Sequence, residues 1–508
     1  MFQDGLFVNS VDDKRSSRMA NNFKSDDSFL RKLIIGAAGT NSTIRRLLEL
    51  GYAPIELERG STGYKIWKKI KIKRIRVPDI LCLRTGIRFE SRGKAKPEIS
   101  MSHSTSDPNR SWDFGLRDDD YVSMVVLNQN PDNAVDVQQV SPVHFILVKD
   151  MREAFVNDMI TISKPKGFEE GSEIRVVWPT SSAKNESRVT SISDSKITLE
   201  PTTSGRKQTI FLSRRNGSLH LIPQVYENQT VSLNQIVASV MPVVTSIPCM
   251  PQVNELFFAR KLISINLSDR YAAAKALRYI GYTSSNDLLI ERMNDPNEDI
   301  YVQLEAAAAL AAYNYEMGWQ FMEGKIDGSD KYVPLETQLE TIIVLSELPG
   351  TRSESLLISI LHDSKRNDEL RAGAAWALGQ FQTNESAEAL VNSFNASPVD
   401  IKIEAARALL RIAKPQVSHL VRLLQTTNPA NRDGVSWVLS RIGGFDPNTV
   451  LCNDDNLRKW LSYIIGYGRN SFSESEIDKL CSADPEVYFA ASVLWQLLSS
   501  WIHDLKEF

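Results

Sequence analysis

Apolar residues follow three rhythms along the chain, and each rhythm predicts a different kind of element. From residue 29 to 156 the rhythm is mixed, which predicts an α/β domain. The stretch "DSFLRKLIIGAAGTNSTIRRLLELGY" reads as a helix, a Gly-rich break and a second helix. Ser42 or Thr43 would cap that second helix, and Ile44, Leu47 and Leu48 would form its apolar stripe. In "YKIWKKIKIKRIRV", Ile70 and Ile72 face one way while Lys69, Lys71 and Lys73 face the other; the alternation slips at Arg74, as at a β-bulge. "DILCL" reads as a buried strand, "RTG" as a tight turn and "IRFESR" as the returning strand, with "DYVSMVVL" and "VHFILVKD" as two further apolar runs. From 157 to 240 the rhythm shortens. "SEIRVVW", "SRVTSIS", "KITLE" and "QTIFLS" are short strands with turn residues between them, the pattern of a small all-β, barrel-like domain. Residues 1–28 are polar and read as a loose tail, and residues 241–262 contain three prolines and read as a connector.

The third rhythm is a repeat. The lines "AAAKALRYIG", "EAAAALAAY", "ETIIVLSEL", "AGAAWALGQF", "IEAARALLRI", "DGVSWVLSRIG", "KWLSYIIGYG" and "FAASVLWQLL" align at Leu277, Leu310, Leu345, Leu378, Leu409, Leu439, Ile465 and Leu494. The intervals run from 26 to 35 residues, and a second amphipathic segment such as "SESLLISIL" follows most of them. One helix pair per unit at this period predicts an all-α solenoid over residues 263–508. Ala273, Ala306, Ala374 and Ala405 let neighbouring helices approach closely, and Trp376, Trp437, Trp460 and Trp495 fall at core spacing. Asp269, Glu305, Glu369 and Glu404 read as helix starts. This half of the chain resembles HEAT repeats, particularly the short Ala-rich bacterial kind. The resemblance implies a curved binding surface with a protein partner and names no chemistry.

Composition changes this picture little, but charge placement changes it a good deal. The chain has 508 residues, 42% hydrophobic and 24% charged, with a formal net charge of −3. From Tyr64 to Lys96, however, there are twelve Lys and Arg against two acids, a local excess of +10. Lys65, Lys68, Lys69, Lys71, Lys73, Arg74 and Arg76 could track a phosphate backbone, and Tyr64 and Trp67 could stack on bases. The competing reading is an edge strand kept soluble by lysines. The four cysteines are scattered with no CxxC pair, the N-terminus lacks a signal-peptide core, and no run of 18 apolar residues occurs. The expectation is a cytoplasmic protein without a membrane span.

Within the basic segment two acids stand at an ordered spacing. On the predicted hairpin Glu90, Arg92 and Lys94 project to one side, and the Arg84–Gly86 turn can bring Asp79 beside Glu90. Two carboxylates meeting beside a cation suit Mg²⁺, which takes oxygen ligands and activates bound water. The motif Pro78-Asp79, ten residues, then Glu90-Ser91-Arg92 resembles the PD-(D/E)xK nuclease superfamily over roughly residues 40–150. That resemblance implies Asp79 and Glu90 as ligands of Mg²⁺ or Mn²⁺. A helix Glu would complete the site: Glu49 first, with Glu56 and Glu58 behind it. Arg92 stands where the family has Lys and cannot act as a base; Lys94, on the same face, is the candidate substitute. The competing readings are a nuclease-like fold without catalysis, and plain surface ion pairs worth about 0–1 kcal/mol each.

Four weaker signals complete the reading. His103 in a Ser-rich loop could act near a phosphate, and Asp113 or Asp118 could bind a second metal. "DDD" at 118–120 reads as the opening of a helix. Zinc is discounted because "CLRTG" has no second pair, and "IIGAAGT" lacks a phosphate-loop lysine. The expected function is therefore nucleic-acid binding, with DNA favoured, and Mg-dependent phosphodiester hydrolysis, set by analogy in bacterial defence or DNA processing. The alternative is a non-enzymatic HEAT-repeat scaffold that binds nucleic acid or protein through its basic N-terminal domain.

Overall fold

A computed structural model describes residues 26–58, 75–130, 137–163, 173–214, 217–248, 251–281, 284–327, 333–426, 429–441 and 464. The basic run from Lys65 to Arg74, with Tyr64 and Trp67, lies outside the described residues, as do Trp460, Ile465, Leu494, Trp495 and most of the expected tail. The chain divides into two compact units, one of residues 1–66 and 76–258 and the other of residues 67–75 and 259–508.

The first unit is mostly strands. Helix α1 (Asp26–Glu49) is followed by β1 (Pro54–Glu56), β2 (Ile80–Cys82) and β3 (Arg88–Lys94), which pair antiparallel in that order. The hairpin between β2 and β3 closes as expected: Gly86 N–H donates to Cys82 O at 2.8 Å, with Gly86 at φ 70°. β5 (Tyr121–Gln129) then lies parallel to β3, and β6 (Val137–Gln139) and β7 (His144–Leu147) both pair with β5. Helix α2 (Val148–Val156) follows.

Helix α1 is one continuous helix, not the two expected with a break at the glycines. It packs on β3 and β5, and Gly39 is the point of closest approach: a Cβ there would sit 2.6 Å from Gly93 N. The glycines serve contact rather than termination. Thr43, expected as a cap, is buried mid-helix, its hydroxyl 3.0 Å from Ser123 Oγ and 3.4 Å from Ser91 Oγ. Phe89 and Ile80 fill the core on this side with Leu47, Val125 and Phe145.

The expected barrel is not closed. β4 (Ile99–Ser104), β8 (Thr161–Ser163) and β9 (Glu173–Trp178) form one open sheet in the order β4-β9-β8. β10 (Thr180–Ser182), β16 (Ile222–Pro223) and β18 (Ile236–Ser239) form another, ordered β10-β18-β16. β11 (Ser187–Ile192), β12 (Lys196–Pro201), β13 (Gln208–Phe211) and β17 (Thr230–Val231) form a third, ordered β13-β12-β11-β17; β14 (Ser213–Arg214) pairs with β15 (Leu219–His220). These short sheets do not join into one sheet but share a hydrophobic core. Their core is continuous with the second face of the N-terminal sheet: Val122, Met124 and Val126 pack with Ile99, Met101, Trp178, Val189 and Ile236. His144 pins the two parts, its Nε2 accepting the Ile236 N–H at 2.9 Å.

In the second unit the described residues form a helical stack. α3 (Glu255–Lys261) leads into paired helices α4 (Leu267–Ile280) and α5 (Asn286–Asn294), α6 (Ile300–Ala312) and α7 (Glu316–Asp327), α8 (Leu335–Leu345) and α9 (Thr351–His362), and α10 (Asp368–Leu378) and α11 (Asn384–Ala396); next, α12 (Val399–Thr426) is one continuous helix where the repeat predicts a pair, and α13 (Pro429–Arg441) follows it. α4, α6, α8, α10 and α12 each pack on the next of that set. Leu277, Leu310, Leu345, Leu378, Leu409 and Leu439 are all buried, as are Ala273, Ala306, Ala374, Ala405, Trp376 and Trp437. Small side chains let these helices approach, and stacking buries a face that no single pair could bury. Asp269 and Glu369 lie in first turns as expected, but Glu305 and Glu404 are buried in helix interiors, beside Arg278 at 3.6 Å and Arg407 at 2.5 Å. No described helix is long and apolar enough to cross a membrane.

Candidate functional site

Asp79 sits where β1, β2 and β3 converge. Its backbone carbonyl accepts the N–H groups of Leu57 at 2.7 Å and Glu58 at 3.3 Å. β2 stops pairing with β3 at the Ile80–Phe89 register, and beyond that point the Asp79 side chain replaces the missing backbone acceptor. Its Oδ2 takes the Ser91 N–H at 2.7 Å. On β3 the side chains alternate: Ser91 and Gly93 face α1, while Glu90, Arg92 and Lys94 share the opposite face, in register with Val122, Met124 and Val126 of β5.

Burial pushes the Asp79 carboxyl well above its usual range, and the negative charges of Glu90 and then Glu58 push it further; Arg92 and the Ser91 N–H pull the other way. The third acid felt by Asp79 is therefore Glu58, two residues beyond β1. Glu49 is more than half exposed at the end of α1 and ion-pairs with Arg46 at 3.0 Å. Among the described residues, no group of three or more His, Cys, Asp and Glu side chains forms a metal-holding set.

The cations are engaged. The Arg92 guanidinium ion-pairs with Glu90 and donates to Ser91 O at 2.9 Å and to Met101 Sδ at 3.4 Å. Burial disfavours its charge, but Glu90 and Asp79 outweigh that and hold its proton more tightly than usual. Lys94 turns toward β4, where its Nζ donates to Ser100 O at 2.7 Å and to Ser100 Oγ at 3.1 Å. Burial, then Arg92 and Arg175, lower the Lys94 pKa to about 7 against the opposing pull of Glu98. Arg76 is exposed at the edge of the described segment.

The polar loop is a structural brace. Trp112 is buried against Trp178 at 4.9 Å between ring centres. His103 Nδ1 accepts the Trp112 N–H at 3.3 Å, and its ring lies edge-on to Phe155. Asp113 and Asp118 both bind Arg152, at 2.8 and 2.5 Å. "DDD" does not open a helix; it precedes β5. Asp120 is fully buried and takes three bonds from Arg88, at 3.0, 3.2 and 2.6 Å, with the Arg117 N–H at 2.6 Å. Arg175 was not among the residues expected at the site. It arrives from β9 through the β4–β9 pairing, and no local pattern around "SEIRVVW" ties it to residues 94–102.

Residues 331–409 match the family described as HEAT repeats. Among solved structures the chain is similar to the CpcE–CpcF complex of phycocyanin lyase from Nostoc, at 19% identity over 48% of this chain and 99% of that chain, with a TM-score of 0.24. It is also similar to an engineered protein at 20% identity, 49% and 75% coverage and a TM-score of 0.23. A third similarity is to human deoxyhypusine hydroxylase, at 16% identity, 48% and 84% coverage and a TM-score of 0.19. No curated protein matches the chain.

Proposed function

We propose that this chain is a HEAT-repeat scaffold whose solenoid engages a protein partner and whose N-terminal unit grips nucleic acid. The observation that carries the reading is the alanine-packed stack of helix pairs, within which residues 331–409 match HEAT repeats. Such stacks offer long surfaces that bind by shape and charge. The nucleic-acid half is supported by the +10 excess between Tyr64 and Lys96, with DNA as the favoured ligand. Proximity cross-linking in cells expressing the full chain should place partner cross-links on the helices between 263 and 441. Cross-links confined to residues before 259 would contradict the solenoid's role.

A second reading, metal-dependent nuclease, is favoured by one observation. Burial, and after it the charge of Glu90, raise the cost of ionising Asp79 at the junction of three antiparallel strands, next to a strand parallel to β3. Two carboxylates are donors of the type that Mg²⁺ or Mn²⁺ prefers. In this reading Asp79 and Glu90 hold the ion, with Glu49 or Glu58 completing the set. Bound metal would supply an activated water. Arg92 neutralises charge on the phosphate, and Lys94 is the nearby amine. A setting in bacterial defence or DNA processing belongs to this reading. Against it stands the Arg92 guanidinium clasping Glu90. End-labelled DNA and RNA incubated with Mg²⁺ or Mn²⁺ decide between the two. The scaffold leaves both intact with wild type, Asp79→Asn and Glu90→Gln alike. Cleavage by wild type that both substitutions abolish would establish the nuclease.

A further inference from the structure

The sheet β4-β9-β8 has two unlike faces. On one, Ile99, Met101, Val176 and Trp178 enter the core. On the other, pairing aligns Ser102 with Arg175 and Arg175 with Ser163, while Ser100 and Thr161 both lie opposite Val177. Residues paired across an antiparallel ladder share a face, so hydroxyls and a guanidinium stand together there. The Arg175 side chain is 58% exposed, and Glu98, at 3.8 Å, is a loose partner. Lys94 comes to Ser100 from β3, its amine held on that buried residue of the face. An ammonium has three N–H donors, and the two directed to Ser100 leave one for a ligand.

We infer that this face seats the phosphodiester groups of a nucleic-acid backbone, with Arg175 and Lys94 contacting the phosphate oxygens and Ser102 and Ser163 donating beside them. The inference rests on the nucleic-acid reading above and adds where the backbone lies. Charge complementarity selects the occupant, since cations flanked by hydroxyls match an acceptor-only, singly charged diester. The contacts carry no base information, so DNA and RNA share the chemistry and differ only in what reads the sugar and bases.

The geometry has a pH consequence. The groups facing the Lys94 amine are Arg92 on β3, Arg175 on β9 and Glu98 in the β3–β4 turn. The Lys94 pKa of about 7 means that near neutrality the amine is only partly charged. A bound phosphate favours the ammonium, so binding takes up a proton, and affinity rises as pH falls through about 7.

The test is fluorescence anisotropy of labelled DNA and RNA 20-mers with the full chain, in EDTA so that no hydrolysis intervenes. Wild type should bind, with affinity falling steeply with salt. Arg175→Ala, on an exposed side chain, should weaken binding about five- to tenfold at about 50 mM salt and reduce the log–log salt slope by about one. Lys94→Gln should remove the gain in affinity between about pH 8 and pH 6. Arg188→Ala, on exposed β11, should change nothing. Tighter binding of one 20-mer than the other, still dependent on Arg175, supports the inference and identifies the source. Wild-type binding that Arg175→Ala and Lys94→Gln both leave unaltered overturns the inference and spares the broader reading; no binding of either 20-mer overturns both.

Discussion

The charge state of Asp79 links site and stability. Its carboxyl keeps its proton to higher pH in the folded state than in the unfolded chain, where the usual value is about 3.9. As pH rises above that unfolded value, the unfolded state releases the proton first and stability is lost. Asp79→Asn keeps an acceptor for the Ser91 N–H and removes the charge. It should raise the thermal midpoint by a few degrees at pH 7 and leave it unchanged near pH 3, as read by circular dichroism. A lower midpoint at both pH values would contradict this account. His144 has the opposite sign. Burial lowers its pKa to about 4, so the folded state stays neutral while the unfolded chain takes up a proton. Stability should fall as pH drops from about 6.5 to about 4, by on the order of 3 kcal/mol. Urea unfolding across that range should show a shallower acid loss in His144→Gln.

At the scale of elements, α1 and β3 meet through two glycines. A Cβ at Gly93 would stand 2.2 Å from Ile35 O, and backbone cannot yield as a side-chain end can. Gly93→Ala should therefore cost about 2–3 kcal/mol in urea unfolding, whereas Gly36→Ala, with nothing within 4 Å, should be neutral or stabilising. These glycines also show where sequence reading stops. The hairpin of β2 and β3 was legible because the alternation and the Gly86 turn are local signals. The continuity of α1 was not, because a glycine that permits close contact looks the same in sequence as one that ends a helix. Asp120 is a similar case. Three acids in a row read as a helix start, and only the distant Arg88 shows one of them to be a buried anchor.

At the scale of the molecule, the repeat was the most legible feature. It recurs through many units, so local errors average out, and its apolar ladder through Leu277 to Leu439 is buried as expected. What the repeat did not reveal is the polar register between units. Lys275 is fully buried and pairs at 3.0 Å with Glu347, which also takes Arg278. Glu347→Gln strips the charge partner from a buried ammonium and should cost about 3–5 kcal/mol. Lys275→Met leaves Glu347 with Arg278 and should cost less; equal losses in guanidinium unfolding would contradict this division. The candidate site was legible in part: the hairpin that carries Asp79 and Glu90 follows from local signals, while Glu58 and Arg175 arrive through pairings that local sequence does not encode. The proposal is that the N-terminal unit grips a nucleic-acid strand and leaves it uncut. Native mass spectrometry of the full chain with a DNA 20-mer in Mg²⁺ tests this most directly. The account predicts a complex with the summed mass of protein and intact strand, persisting through prolonged incubation. Shortened strands, or free protein beside free strand, would contradict it.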